Sequence, residues 1–311
     1  MNRMQSRRRF LRANLTWMAG ALALQPRLNL LAADGPPEGF HPLFDGKTLS
    51  GWHPKPRSQA GKPPKPGAPV DPNSFYERSL RSTGRWTVED GIIVGGQEPP
   101  GSGLGGYLVS DDAFGDFELL IDARPDWAAD TGVLVRATPA GNVGFQILLD
   151  HRRSGGIGGF YGNGLAGFHA LPYQFNAVFD KDGHPIGLQE DDPKTSIEPV
   201  TEAKRRLLTY AAPIEEFLKT WKFGDWNTFK IRSVGELPQL TTWINGTKIC
   251  EIDTAKIDWP KYHPQEVLAQ IGRRGHISLE VHSNGANDPL GKDRWAPGAV
   301  CRWRNIYIKE L

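Results

Sequence analysis

Phe117-Glu118-Leu119-Leu120-Ile121-Asp122-Ala123-Arg124 places Phe117, Leu119, Ile121 and Ala123 in one phase and mostly polar side chains in the other. A period of two belongs to a β-strand, whose successive side chains point to opposite faces. One face is therefore expected to be buried and the other freer. The pattern returns with Val133, Val135 and Ala137, in Phe145-Gln146-Ile147-Leu148-Leu149-Asp150, and in Phe229 to Arg232, Thr241 to Gly246, His276 to His282 and Ile306 to Ile308. Turn signals separate these runs. Asp45-Gly46 is one, and Asp90-Gly91 joins Trp86-Thr87-Val88-Glu89 to Ile92-Ile93-Val94 as a hairpin. Many short strands between turns predict an all-β sandwich of the jelly-roll kind.

Composition agrees with this reading. Hydrophobic residues are 39% and charged residues 23% of the 311, enough for a core and too apolar for a disordered chain. Gly (36) and Pro (25) together make about a fifth of the chain, against about 12% in ordinary proteins, so turns are frequent and long helices few. The strands do not divide into two sets, and a single domain over 38–311 is expected.

The formal charge of +2 depends on the N-terminus. Arg3, Arg7, Arg8, Arg9, Arg12 and Arg27 precede the first acidic residue, Asp34; without them 31 basic residues face 35 acidic ones. A mildly acidic body offers no electrostatic footprint for nucleic acid. Ser6-Arg7-Arg8-Arg9-Phe10-Leu11-Arg12, the apolar run Ala13 to Leu24 and the small residues Ala32-Ala33 have the order of a twin-arginine signal peptide over 1–33. The apolar run is too short to span a bilayer. A periplasmic or extracellular location follows, with the twin-arginine machinery as the export partner. Cys250 and Cys301 are the two cysteines. They are expected to be core residues or one disulfide, and neither is expected to be catalytic.

Two stretches break the strand pattern. Seven prolines between Pro54 and Pro72, with Lys55, Arg57, Lys62 and Lys65, predict a stiff basic surface loop. Over 172–222 the alternation lapses, and Ile214, Phe217, Leu218 and Trp221 follow Pro213 at helical spacing, which predicts an insertion with one short helix. Gly162-Asn163-Gly164-Leu165-Ala166-Gly167 matches a dinucleotide fingerprint as text. It lacks the strand before and helix after that give the motif its meaning, so no nucleotide cofactor is expected. Asp180-Lys181-Asp182-Gly183 reads as an ordinary turn, because the later ligands of a calcium loop are missing.

The candidate chemistry lies on shared strand faces. If Ile277, Leu279 and Val281 are core, then His276, Ser278, Glu280 and His282 point the other way, with Glu280 and His282 about 7 Å apart along the strand. Gln146, Leu148 and Asp150 would form a second strip beside Leu134 and Arg136. On a concave sheet these strips could hold a polyhydroxylated ring; on an outer sheet they would merely be solvated. The run His151 to Asn163 and the following Gly164 hold six glycines within ten residues, as expected where a ligand approaches the backbone. Tyr161, Asn163, Phe168 and His169 supply aromatic surface and polar tips.

Phe40-His41-Pro42-Leu43-Phe44-Asp45-Gly46-Lys47-Thr48-Leu49-Ser50-Gly51-Trp52 closely resembles the opening of the bacterial 3-keto-disaccharide hydrolase domain family. Trp86 to Gly91, Phe114 to Leu119, Thr131 to Arg136, Trp226-Asn227-Thr228, Trp243 to Gly246 and Arg304 to Leu311 follow in the family's order, so the resemblance covers about Phe40 to Leu311. It implies a concanavalin A-like β-sandwich of the lectin and glucanase kind. It also implies activity on glycosides whose sugar carries a 3-ketone, sometimes with a divalent metal. Many members have a Glu two residues before the Gln of the central strand; here Gly144 precedes Gln146, and Asp150, His151 or Glu280 would have to substitute. The E-x-D-x-E strand of retaining glucanases is absent, with Glu118 to Asp122 the nearest approach, which disfavours a two-carboxylate glycosidase.

A ketone at C3 acidifies the C2 hydrogen, so the C1 substituent can leave by elimination and water can add to the enone. Such a site needs a base, an acid and a positive group for the enolate. The catalytic candidates are His282, Glu280, Asp150 and Arg136, with His282 as the base and Arg136 on the enolate. His282, Glu280 and Asp150 are alternatively the ligands of a divalent metal. Substrate contacts are assigned to Gln146, His151, Tyr161, Asn163, His169 and Trp243. A non-catalytic carbohydrate-binding module and an envelope scaffold domain stay open as rival classes. Replacing Arg7, Arg8 and Arg9 by Lys is expected to retain the protein in the cytoplasm; fractionation that still finds it exported would exclude the twin-arginine route.

Overall fold

The computed structural model describes residues 35–57, 65–285 and 293–311. The expected signal peptide lies outside the described residues, as does the middle of the proline-rich stretch. Two antiparallel sheets pack face to face as a β-sandwich of the jelly-roll class. The larger runs in spatial order Leu208–Ala211, Thr247–Asp253, Gln239–Ile244, Asn227–Val234, Phe117–Pro125, Val300–Glu310, Ile92–Gly96 and Arg85–Glu89, with His41–Pro42 also pairing the Val300–Glu310 strand. The smaller runs His169–Ala170, Ile157–Asn163, Gly144–His151, Ala129–Ala137, Gly275–Val281, Gly106–Phe114 and Trp52–Pro56.

The inward-pointing halves of the alternating strands make one core. From the smaller sheet come Leu108, Val133, Val135, Phe145, Ile147, Leu149, Ile277, Leu279 and Val281; from the larger, Leu119, Ile121, Phe229, Ile231, Trp303 and Ile308. Cys250 and Cys301 are free thiols on the larger sheet, both buried, so the disulfide alternative is corrected. Burial pushes both thiols well above their ordinary value and leaves them inert.

The polar phase of the smaller sheet is also buried. Glu280 and Ser278 are fully covered, and Gln146, Asp130 and Asp150 nearly so. A solvated outer face would not cover its carboxylates; this one is roofed by loops.

Three expectations change in detail. The proline-rich stretch begins as an edge strand: Trp52–Pro56 pairs Gly106–Ser110, with Lys55 opposite Tyr107 and Pro56 opposite Gly106. An edge strand tolerates proline because its outer N–H groups need no partner. The 172–222 stretch contains the expected helix, Ile214–Thr220, with Pro213 at its N-cap and Phe217 buried, and a second short helix, Glu202–Arg205, where one was expected. It also holds a two-stranded sheet, Phe175–Phe179 with Pro185–Glu190, joined by the turn in which Asp180 Oδ1 accepts from the backbone of Asp182 and His184. A helix at Pro264–Ile271 was not legible beforehand.

The glycine cluster serves packing, a correction to its reading as a ligand approach. A Cβ on Gly155 would lie 2.0 Å from the Asp150 carbonyl oxygen, and one on Gly162 would lie 2.4 Å from the Phe168 ring. Leu279→Ala is expected to cost about 2–5 kcal/mol, because the side chain is wholly enclosed and the cavity cannot collapse between two sheets. Chemical denaturation should show a lowered midpoint with an unchanged slope.

Candidate functional site

Strand register assembles the site on the side of the smaller sheet away from the core. Asp130 stands opposite Asp150, Leu134 opposite Gln146, and Gln146 opposite Tyr161. Ser278 stands opposite Leu134, and Glu280 opposite Tyr107. Over this face lies a cavity of about 160 Å³ lined by Arg57, Asp130, Gln146, Leu148, Asp150, Tyr161, Asn163, His169, Glu198, His282 and Arg294. That is below the ~300–1,000 Å³ of pockets for drug-sized ligands and suits about one sugar ring. Larger clefts of about 570 and 400 Å³ exist elsewhere; the first holds the Arg302–Asp126 pair at 2.6 Å beside His151, but neither brings several buried carboxylates, a buried histidine and two arginines together as this cavity does.

Glu280 is the floor of the site. Its Oε1 accepts from Arg57 Nε at 2.7 Å and Tyr107 OH at 3.4 Å, its Oε2 accepts from the Gln146 amide at 2.5 Å, and its carbonyl accepts from the Thr131 hydroxyl. Asn163 Nδ2 donates to Tyr107 OH at 3.0 Å. Arg57 also reaches His282, with Nη2 2.7 Å from Nε2. His282 Nδ1 lies 2.6 Å from the Ser283 carbonyl, which can only accept, so Nδ1 carries the proton and Nε2 presents its lone pair to Arg57.

A second ionic group adjoins the first. Asp130 pairs with Arg294 at 2.5 Å and lies 3.8 Å from His282 Nε2. Arg152 is 2.9 Å from Asp150 and 3.6 Å from Glu198. The Arg152–Asp150 contact is close but poorly directed, and Asp150 Oδ1 has no hydrogen-bond partner among the described residues. Glu198, from the insertion, meets His169 at 3.2 Å and Lys204 at 4.0 Å.

Burial sorts the protonation states. Asp150 is pushed well above the usual carboxylate range, first by desolvation and then by the charge of Asp130. Glu280 is raised by desolvation, against the pull of Arg57. His282 is held well below its ordinary value by desolvation, then by Arg57 and Arg294. It is therefore neutral at pH 7, with an acceptor nitrogen inside the cavity. Burial alone would lower Arg57, but Glu280, Tyr107 and Asp130 together outweigh it and keep the guanidinium charged. Burial would raise Glu198, but the hydrogen bond and charge of His169, with Lys204 and Arg294, hold it at about 2.

Of the residues singled out from sequence, Gln146, Asp150, Tyr161, Asn163, His169 and His282 line the cavity and Glu280 underlies it. Three do not join them. Arg136 has the right phase, but its φ of 52° at a strand irregularity turns it away, and its guanidinium binds Asp116 at 3.0 Å, the Gly235 carbonyl at 2.9 Å and the Arg273 carbonyl. His151 follows Asp150 in the strand and so takes the opposite face, where Nδ1 meets the Asp126 carbonyl at 3.0 Å and the ring packs against Trp127 and Phe223. Trp243 is on the other sheet, under Lys230.

The sequence reading missed Tyr107, Asp130, Arg152, Arg57, Glu198 and Arg294. Asp130 was within reach, since it is in phase with Leu134 two pleats earlier. The last three come from loops and the insertion, where no periodicity reports direction.

The donor set suggested for a metal, His282, Glu280 and Asp150, does not fit one. Both Glu280 oxygens and both His282 nitrogens are engaged with protein groups, and Arg57, Arg152 and Arg294 surround all three side chains. Among the described residues no group of three or more His, Cys, Asp or Glu is placed to hold a metal ion.

A family model described as the 3-keto-alpha-glucoside-1,2-lyase-like domain matches residues 39–309. The chain belongs to this family. A carbohydrate-active role follows from that membership. Among solved structures, the chain is similar to a candidate glycosyl hydrolase from Parabacteroides distasonis ATCC 8503, with TM-score 0.45 and 15% identity over 88% of this chain and 94% of that one. It is also similar to the carbohydrate-binding module CBM66 from Bacillus subtilis, with TM-score 0.33 and 9% identity over 73% and 92% of the two chains. A lichenase derived from a mouse hindgut metagenome gives TM-score 0.34 and 10% identity over 72% and 82%. Comparison with curated proteins gave no match. Among the described residues no helix is long and apolar enough to cross a membrane.

Glu198 gives a stability prediction. Its folded value of about 2 lies below the ordinary 4.5, so its contribution is present above about pH 4.5 and is lost as pH falls toward 2. Glu198→Gln should melt below wild type at pH 7, and the gap should close on acidification through that window. A gap independent of pH would show that packing, not charge, is lost.

Proposed function

We propose that this chain is an exported enzyme that cleaves the anomeric bond of 3-keto-glycosides by elimination, followed by hydration. The observation that supports it is the contact of a charged guanidinium with a neutral imidazole, Arg57 Nη2 to His282 Nε2 at 2.7 Å, inside a cavity that takes one ring. The proton to be removed sits on C2 and the oxygen that gains charge sits on C3. Base and electrophile must therefore be neighbours, a requirement that supports His282 and Arg57 in these roles.

In this reading His282 Nε2 takes the C2 proton and the electrons pass toward the ketone oxygen as an enolate. Arg57 and Arg294 supply the positive field. The enolate re-forms the ketone as a C1–C2 double bond appears and the C1–O bond breaks. Asp150, which keeps its proton where an exposed Asp has lost it, protonates the departing oxygen. Water then adds across the C1–C2 double bond, and the two groups return to their starting protonation states. Glu280 holds Arg57, while Gln146, Tyr161 and Asn163 offer hydrogen bonds to the ring hydroxyls.

The test incubates purified protein with glucosides and with their 3-keto counterparts. Release of aglycone from the keto forms alone supports the enzyme. Binding without release would favour a carbohydrate-binding module and overturn catalysis. His282→Ala and Glu280→Ala should lower turnover by about 10²-fold to 10⁴-fold with the fold retained by circular dichroism. The pH profile should stay flat on the acid side to well below pH 6.5, because the base form of His282 persists there. It should fall on the alkaline side as Asp150 loses its proton, and Asp150→Asn should remove that limb together with most of the activity.

A further inference from the structure

We infer that the Arg57 guanidinium stands where Glu280 and His282 would otherwise hold a metal ion, and that it is the tethered cation receiving the charge of the substrate's ketone oxygen. The inference rests on the elimination reading above and goes beyond it in assigning the ketone oxygen to Arg57 Nη2 alone, in place of its contact with His282, and in making the reaction independent of a divalent metal. A carboxylate and an imidazole with its lone pair turned inward are the donors a divalent cation seeks. Here one side chain bridges the pair, with Nε on Glu280 Oε1 and Nη2 on His282 Nε2, both at 2.7 Å. The bridging group is itself mostly buried, its side chain 17% exposed, so its charge acts with little screening by water.

The chain builds this position deliberately. Arg57 follows directly on Trp52–Pro56, whose register sets Lys55 opposite Tyr107 in the strand next to that of Glu280. Pro54 and Pro56 fix φ in that strand, so little chain entropy is lost in holding the guanidinium over the floor of the site.

A guanidinium carries five N–H donors, and Glu280 and His282 use two of them. The contact to His282 is the one a substrate can displace. When the ketone oxygen takes over Nη2, His282 Nε2 is released beside C2 while Nε keeps its hold on Glu280. One movement thus delivers the cation to O3 and frees the base. No bond to carbon forms at Arg57 and no electron is exchanged with it; it remains protonated throughout.

The experiment uses the full chain and methyl 3-keto-α-D-glucopyranoside as the probe. Wild-type protein dialysed against EDTA should keep its turnover, and added Mn²⁺ or Zn²⁺ should not raise it. Arg57→Gln and Arg57→Ala should lose about 10²-fold to 10³-fold, the range for removal of one preorganised donor, and guanidinium chloride at millimolar concentration should partly restore the Ala variant. In ¹H–¹⁵N spectra of the histidine rings, His282 should take up a proton at higher pH in Arg57→Gln than in wild type, a readout that needs no turnover. Loss of activity on dialysis with recovery on adding a metal would overturn the inference, as would an Arg57→Gln variant with wild-type turnover. If the parent does not turn the probe over, the elimination reading is what fails. Arg57 is then judged by probe binding: affinity kept after EDTA and lost in Arg57→Gln sustains it, and the reverse refutes it.

Discussion

A fully buried carboxylate, Glu280, constrains the rest of the molecule. A charge in that position is tolerable only if it is met by opposite charge and hydrogen bonds, since an uncompensated one costs several kcal/mol. Arg57 and Gln146 meet its two oxygens, with Tyr107 behind. Each of these comes from a different strand or strand end, so satisfying one side chain fixes the mutual placement of four segments. His282 is held in its neutral tautomer by the same arginine that neutralises Glu280.

The same economy explains why the cavity contains nearly equal numbers of acids and cations and yet distinct protonation states. Desolvation works against every charged form, but partners are unevenly shared. Glu198 has His169 and Lys204 beside it and stays ionised, whereas Asp150 competes with Asp130 for Arg152 and Arg294 and is driven toward its acid form. Two carboxylates in one site are thereby pushed apart, the condition under which one can act as an acid while the other only holds charge.

The pleat of a strand determines which of two adjacent residues does chemistry. Asp150 and His151 are consecutive and equally plausible as sequence, but one enters the cavity and the other packs with Trp127 and Phe223 on the far side. The phase of Phe145, Ile147 and Leu149 predicts this division for Gln146 and Asp150. The same rule misplaced Arg136, because a local irregularity with positive φ reverses the side chain, and nothing in Val135-Arg136-Ala137 announces it. The glycines of 155–164 misled for a related reason: they relieve contacts between chain segments distant in sequence, which composition alone reads as room for a ligand.

By itself the sequence determined the period-two strands, the sandwich they form, the separation of Gln146 and Asp150, and of Glu280 and His282, from the core phase of their own strands, and the family resemblance from Phe40 onward. These are properties of local alternation, which a strand converts directly into geometry. The tertiary structure alone decided that the two strips share one face and that it is buried, that Arg57, Glu198 and Arg294 enter it from segments without periodicity, and that guanidinium groups occupy the donors a metal would need. Those outcomes depend on contacts such as Arg57 with Glu280, 223 residues apart, and on burial, which no local pattern encodes.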